Sequence, residues 1–331
     1  MHSNCDPPST AALPDLFALV AADLDRMNRG LLADLRPGNA DVQGLVEHVG
    51  HYRGKQLRPA LVFLWGRAAG GTTPAHDTVA KVVELIHLAT LVHDDVLDGA
   101  ERRRRMPTLN AVHGNEVPVL LGDYIYARAF HMSVCLDDLA CSRLLADVTR
   151  LMCQGEITQI QHRFDFAWTQ EQYFDVIREK TATLYGAACR LGAHYAGGSA
   201  DLLAAADEYG EQLGVAFQIV DDCLDLDGDE VVVGKSLGTD LERGKLTLPL
   251  LLLLRDAEAG PRLRALLETP AGPSRLRRLR AEFDLAAAVQ TSLDVAQARI
   301  DRAVAALDGV ADEPVRDALR GLAEYVLRRR R

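Results

Sequence analysis

The stretch Leu85-Ile86-His87-Leu88-Ala89-Thr90-Leu91-Val92-His93-Asp94-Asp95-Val96-Leu97-Asp98 decides the reading of the fold, together with its echo Phe217-Gln218-Ile219-Val220-Asp221-Asp222-Cys223-Leu224-Asp225. Each is an apolar run that ends in the pattern DDxxD. Helical spacing puts residues three and four apart on one face, so Asp94 stacks one turn from Asp98, and Asp221 one turn from Asp225. Like charges at that spacing destabilise an isolated helix, so something must compensate. Carboxylates enter apolar surroundings only when paired or metal-bound. Two such clusters facing each other would make an oxygen-only cation site, suited to Mg²⁺ or Mn²⁺ rather than zinc. Mg²⁺ keeps several waters and shares itself between carboxylates and phosphates, so the pattern points to a diphosphate held between two helices.

Working outward, apolar spacing predicts helices over 13–36, 41–51, 59–69, 74–98, 117–135, 138–162, 170–197 and 201–225, with more from Thr247 to Arg331. Pro37-Gly38-Asn39 and Gly70-Gly71-Thr72-Thr73-Pro74 punctuate them. Gly99 to Thr108 reads as an exposed basic loop, 227–244 as a Gly- and Asp-rich loop or flap, and Pro261 to Pro273 as a pair of turns. No βα alternation is present and strand-like alternation is almost absent, so the expected class is all-α, a large helical bundle. No linker divides the 331 residues, which are expected to form a single domain with 1–12 as a flexible tail.

Composition excludes several classes. The net charge of -10 argues against a general nucleic-acid binder, while local runs at Arg102 to Arg105 and Arg328 to Arg331 fit a small anionic substrate. The six cysteines form no CxxC pair and no grouping with histidine, and are expected to be reduced, in a cytoplasmic protein. The longest apolar run, Leu246 to Leu254, is far short of the roughly 20 residues that span a bilayer, so no transmembrane segment is expected. Lys55 and Arg58 lie at a helix start, where backbone N–H groups also favour anions. Arginine grips diphosphate oxygens bidentately and lysine adds a point charge, which makes the Arg102 to Arg105 run, Lys180, Lys235 and Lys245 further candidates.

In order along the chain, RGKQLRP from Arg53, HLATLVHDDVLD from His87, RRRMPT from Arg103, GDYIYARAF from Gly122, KTATLYGAA from Lys180, FQIVDDCLDLDGD from Phe217, GKSLGTDL from Gly234, GKLTLP from Gly244 and LAEYVLRRR from Leu322 resemble the trans-isoprenyl (polyprenyl) diphosphate synthases. That resemblance implies an isoprenoid-synthase-type bundle around a deep central cavity. It implies that Asp94, Asp95, Asp98, Asp221, Asp222 and Asp225 hold about three Mg²⁺ on an allylic diphosphate. Lys55, Arg58, His87 and Arg104 would bind isopentenyl diphosphate, and Arg103, Lys180, Thr181, Gln218, Lys235 and Lys245 the allylic diphosphate, Lys180 and Lys235 also serving catalysis. His87 lies two turns before Asp94 and therefore on its face. The sequence departs from the family at Gln56, where an arginine is usual, and at Arg105, where a glycine is usual.

The implied chemistry is ionisation, condensation and elimination, with the released diphosphate as base. A bulky aromatic five residues before the first DDxxD would halt growth at short products. Ala89 holds that position with Thr90 beside it, about 7.5 Å down the helix, which implies a medium- to long-chain all-trans product. Phe130 and Met132 are candidates for the cavity floor. The resemblance also implies a homodimer. Alternatives on the same fold are a class I terpene cyclase and a regulatory subunit of a heteromeric synthase. The cyclase usually replaces the second DDxxD and the subunit would lose an acid motif, but both motifs stand here intact. A metal phosphohydrolase built on His93 and Asp94 lacks further ligands at suitable spacing. The Asp225 to Asp229 run is no EF-hand, with Cys223 and Gly234 at the essential loop ends.

Overall fold

The computed structural model describes residues 13–35, 38–52, 54–104, 106–228, 237–269, 272 and 274–329. The expected tail 1–12, Arg53, Arg105 and the candidate Lys235 lie outside the described residues. The long helices are Ala21–Asp34, Ala40–Gly50, Leu57–Ala68, Pro74–Leu97, Glu116–Val134, Ala140–Gln161, Thr183–Tyr195, Ala200–Asp227, Leu285–Ala305 and Glu313–Arg328. Their order in space follows the packing of apolar faces. The 74–97 helix, which carries the first acid motif, sits between the 116–134 and 57–68 helices. The 183–195 helix packs on both the 57–68 helix and the 200–227 helix, which carries the second motif. The 140–161 helix touches both the 116–134 and 183–195 helices and so closes the ring.

Burial explains why these segments are helical and where they turn. Trp65, Phe63, Tyr185 and Tyr209 are fully buried, and the Trp65 and Tyr209 rings meet edge to face at 5.6 Å. Each large apolar side chain so buried contributes about 1.5–3 kcal/mol. The first acid helix starts at Thr73 with Pro74 in its first turn, and His76 accepts from the Thr73 N–H at 2.9 Å. Its other ring nitrogen meets the Gly192 carbonyl at 2.8 Å, tying the helix start to the 183–195 helix. Asp98 caps the C-terminal end, and Gly99 follows at φ 51°, a left-handed conformation that glycine adopts at no steric cost.

Four regions differ from the sequence reading, the first being the helix expected over 13–36, which is broken into Leu13–Leu16, a 3-10 turn Ala18–Val20 and Ala21–Asp34. The basic loop after Gly99 is a small antiparallel pair, with Arg102 opposite Pro107 and Arg103 opposite Met106, and it turns Arg103 inward. The segment expected as one helix over 170–197 is interrupted by a π-helical turn, Arg178–Ala182, which carries Lys180 and Thr181. Such turns widen a helix locally and recur at functional sites. The expected pair of turns at Pro261 to Pro273 is mostly helical, since Ala259–Leu267 contains Pro261 in its first turn, where proline costs no hydrogen bond, and Ser274–Glu282 follows. No helix among the described residues is long and apolar enough to cross a membrane.

Candidate active site

The ring of helices encloses a cavity of 1810 Å³. Asp94, Asp95 and Asp98 line it from one side and Asp221 from another, and Lys55, Arg58, His87, Arg103, Arg104, Lys180, Thr181, Gln218 and Lys245 share its wall. Asp222 and Asp225 are not on that wall.

The first acid motif is open to the cavity. Asp95 pairs with Arg103 through Nη2 at 2.8 Å and through Nε at 2.9 and 3.1 Å. Burial pushes the Asp95 carboxyl up and Arg103 draws it back. Behind them, Tyr52 accepts from the Leu109 N–H at 3.2 Å and lies under the Arg103 guanidinium. Asp98 faces Arg243 and Lys245, with Lys245 at 3.4 Å. The Asp94 carboxylate makes no hydrogen bond or ion pair among the described residues. Burial pushes its carboxyl up to about 6, with Lys180 opposing and the Glu156 and Asp98 charges adding to the rise.

The second motif is tied into protein. The Tyr173 hydroxyl donates to Asp222 Oδ2 at 2.6 Å, the Gln218 amide donates to Asp222 Oδ1 at 2.8 Å, and Thr181 donates to Gln218 at 2.8 Å. Burial, then the Asp240 charge, pushes Asp222 up to about 7. Asp225 accepts from the Thr239 hydroxyl at 3.1 Å and from the Asp240 N–H at 3.2 Å. Asp221 meets Arg329 at 3.2 Å. Lys245, which is nearly buried, reaches Asp240 at 3.2 Å as well as Asp98. Burial alone would lower its ammonium, but the two carboxylates raise it above the ordinary value. Asp98, Lys245, Asp240 and Asp225 therefore form one chain of contacts joining the two motifs.

Basic groups converge from four elements. Gly54 is essential to this closeness, because a Cβ there would lie 2.4 Å from Arg104 Nη2. Burial, then the Arg103 charge, lowers the Arg104 pKa, and burial beside Arg58 leaves His87 well below the ordinary histidine value. His87 is thus neutral, with one N–H to offer. Lys55 lies 5.1 Å from the Tyr325 ring centre and Arg58 lies 4.2 Å from that of Tyr185. The buried Nε of Arg58, the Nε and Nη2 of Arg328, and the Nη1 of Arg329 have no acceptor among the described residues. Unmet guanidinium donors are costly, and a ligand rich in acceptor oxygens would relieve them. Lys180 instead pairs with Glu156 and donates to Gln159 at 3.1 Å.

Sequence reasoning missed Tyr52, Glu156, Tyr173, Asp240 and Arg243, and saw Arg328 and Arg329 only as part of a basic run. No local spacing marks the first five, whose partners come from distant segments. For chain length, Thr90 faces the cavity and Ala89 is fully buried in the core instead. The reason is the helix turn of about 100° per residue, which keeps Thr90 near the face of Asp94 and rotates Ala89 away. Phe130 lines the cavity, as do Tyr126 one turn above and Thr149 opposite, whereas Met132 packs against the core.

A divalent cation fits this donor set. The cavity-facing groups are hard carboxylate oxygens, and Asp94 has no contacting counter-charge among the described residues. No three Asp, Glu, His or Cys side chains converge as a ready ligand set among the described residues. A cation here needs water or phosphate oxygens to complete its shell, which is the habit of Mg²⁺.

Comparison with known proteins agrees with this geometry. The polyprenyl synthetase family profile matches residues 39–282. The chain is 37% identical over 325 residues to the octaprenyl diphosphate synthase of Escherichia coli (strain K12), covering 96% of this chain and 99% of that one. It superposes with TM-score 0.90 on a polyprenyl synthase from Caulobacter crescentus complexed with calcium and isoprenyl diphosphate, at 34% identity over 98% of this chain and 100% of the other. It superposes with TM-score 0.89 on a decaprenyl diphosphate synthase from Rhodobacter capsulatus, at 32% identity over 97% of this chain and 100% of the other. With the profile covering most of its length and these relatives matched end to end, the chain belongs to the polyprenyl synthetase family of prenyltransferases.

Proposed function

We propose that the protein condenses isopentenyl diphosphate with an allylic prenyl diphosphate to make a medium- to long-chain all-trans polyprenyl diphosphate. One observation carries the reading: buried arginine donors that meet no acceptor among the described residues line the same cavity as the carboxylates of the first acid motif. Lys55, Arg58, His87 and Arg104 hold isopentenyl diphosphate. Arg103, Lys180, Thr181, Gln218, Lys235 and Lys245 hold the allylic diphosphate, with Asp94, Asp95, Asp98 and Asp221 for its Mg²⁺, about three ions as the family resemblance implies. Asp222 and Asp225, in contact with Tyr173, Gln218 and Thr239, join that set by exchanging protein partners for the cation. Bound Mg²⁺ supplies neutralisation of the charge that develops on the leaving diphosphate.

The allylic carbon–oxygen bond breaks with its electron pair leaving on the diphosphate. The double bond of isopentenyl diphosphate attacks the cation, forming the new carbon–carbon bond, and the departing diphosphate takes the proton that is lost. Lys180 leaves Glu156 to stabilise that charge, as a preorganised donor does. The walls formed by Leu91, Tyr126, Phe130, Met152 and Ile160 exclude water, which would otherwise capture the cation. A homodimer in the cytoplasm completes the proposal. The described cysteines are all free, as that compartment requires.

The test is incubation of the purified protein with Mg²⁺, isopentenyl diphosphate and separate C5, C10, C15 and C20 allylic primers, reading product masses. Elongation that stops on metal chelation and returns with Mg²⁺ supports the proposal. Hydrocarbon and free diphosphate without elongation would sink it in favour of a cyclase, and inactivity rescued by a second chain would sink it in favour of a subunit role. Gel filtration or sedimentation reads the dimer.

A further inference from the structure

The chain leaves the second acid helix at Gly228 and is described again from Leu237. Both ends of that excursion are held by the short helix Ser274–Glu282. From its last turn, Arg280 Nε donates to the Leu226 carbonyl at 2.9 Å and Nη2 to the Gly228 carbonyl at 3.4 Å. Those carbonyls belong to the end of the acid helix, which lacks intrahelical partners and favours a cation. From its first turn, the buried Arg275 donates to the Leu241 and Glu242 carbonyls at 3.4 Å, to the Leu267 carbonyl at 3.2 Å and to the Thr269 carbonyl. Leu276 packs on Gly238 so closely that a Cβ there would lie 2.9 Å from Leu276 Cδ2.

What this grip holds is chemically specific. The Gly238 N–H donates to the Asp225 carbonyl at 2.8 Å, and the next two residues donate to the Asp225 carboxylate. Arg243 and Lys245 then reach back to Asp98 on the other acid motif. A shift of the 238–245 turn would misplace Asp225, Asp240 and Lys245 together.

We infer that the 274–282 helix is a clip, and that Arg275 and Arg280 are positioning residues that set affinity for the allylic diphosphate and its metal without touching either. The inference rests on the functional reading above. In the full-length protein, Arg280→Ala, a surface change, raises the KM for allylic diphosphate and the Mg²⁺ half-saturation roughly tenfold, the size expected when hydrogen bonds from a charged group are lost. The KM for isopentenyl diphosphate stays within twofold, and Arg280→Lys recovers part of the loss. In metal-free protein, hydrogen exchange at Leu237 to Lys245 accelerates in Arg280→Ala, and calorimetric binding of inorganic diphosphate with Mg²⁺ weakens. Arg275→Met behaves alike with lower thermal stability. Unchanged exchange and unchanged Mg²⁺ response in Arg280→Ala overturn the clip, as does an equal rise in both KM values. A wild-type protein that elongates no primer overturns the functional reading instead, and leaves the exchange result to judge the clip.

Discussion

The two acid motifs have the same spelling and opposite settings. In the first, all three carboxylates face the cavity, and their counter-charges Arg103, Arg243 and Lys245 arrive from other segments. In the second, only Asp221 faces the cavity, and Asp222 and Asp225 are built into hydrogen bonds with Tyr173, Gln218 and Thr239. The difference follows from position along the helix. The first motif ends its helix at Asp98 beside Gly99, whereas the second lies within a helix that runs two residues further. The carboxylates of the first motif therefore meet the cavity directly, while two of the second serve structure as well as the proposed chemistry.

Removing a member of each motif tests that contrast. Asp94→Asn should cost at least about a hundredfold in kcat, the size of losing one charge-stabilising contact. The same variant should melt no lower than the wild type in the absence of metal, because the buried carboxylate it replaces has no partner to lose. A fall in melting temperature together with near-normal turnover would end the distinction for this residue. Asp222→Ala should lose activity and also about 1–3 kcal/mol of stability, since the Tyr173 hydroxyl and the Gln218 amide would be left buried without an acceptor. Denaturant unfolding of the metal-free protein measures it, and equal midpoints for the two variants would show that the motifs are alike.

The proposed control of product length lies on the face that the first motif shares. Thr90→Phe places a ring in the cavity wall one turn below Asp94, and should shift product masses to shorter chains while the protein stays folded. Ala89→Phe drives the same ring into a filled core, costing about 1–3 kcal/mol in overpacking. Mass spectrometry of the products and thermal melting of both variants separate the two effects. Shortening by Ala89→Phe at unchanged stability would show that the wall lies on the other face.

The all-α class, the helix boundaries within a few residues and the order of the site segments were legible because hydrophobic period and punctuation by Gly and Pro are local signals. The gathering of Asp94, Asp221, Lys55 and Lys245 at one cavity was legible only through the ordered motifs shared with the family. What stayed hidden depends on contacts between segments far apart in sequence. Tyr173 looks like a core aromatic until Asp222 lies against it, and Asp240 like a solvated loop acid until Lys245 bridges it to Asp98. The inward turn of Arg103 depends on a two-residue pairing too short to leave an alternating pattern. Ala89 and Thr90 differ by one residue, and deciding which faces inward needs the phase of a helix against its neighbours.

Gly54 offers the mildest test of the contrast, because it alters the basic wall that faces the first motif and leaves the second alone. The added methyl of Gly54→Ala would meet only the end of the flexible Arg104 side chain. Stability should therefore hardly change. Arg104 has to swing away from the position it shares with Arg103 and His87, so the KM for isopentenyl diphosphate should rise about threefold to tenfold, as for a weakened charge-assisted hydrogen bond. The KM for the allylic substrate, whose diphosphate the proposal assigns to Lys180, Lys245 and the acid motifs, should not move. Steady-state kinetics with each substrate varied in turn decides the matter, and a rise in the allylic KM alone would mean that the two diphosphate positions have been assigned the wrong way round.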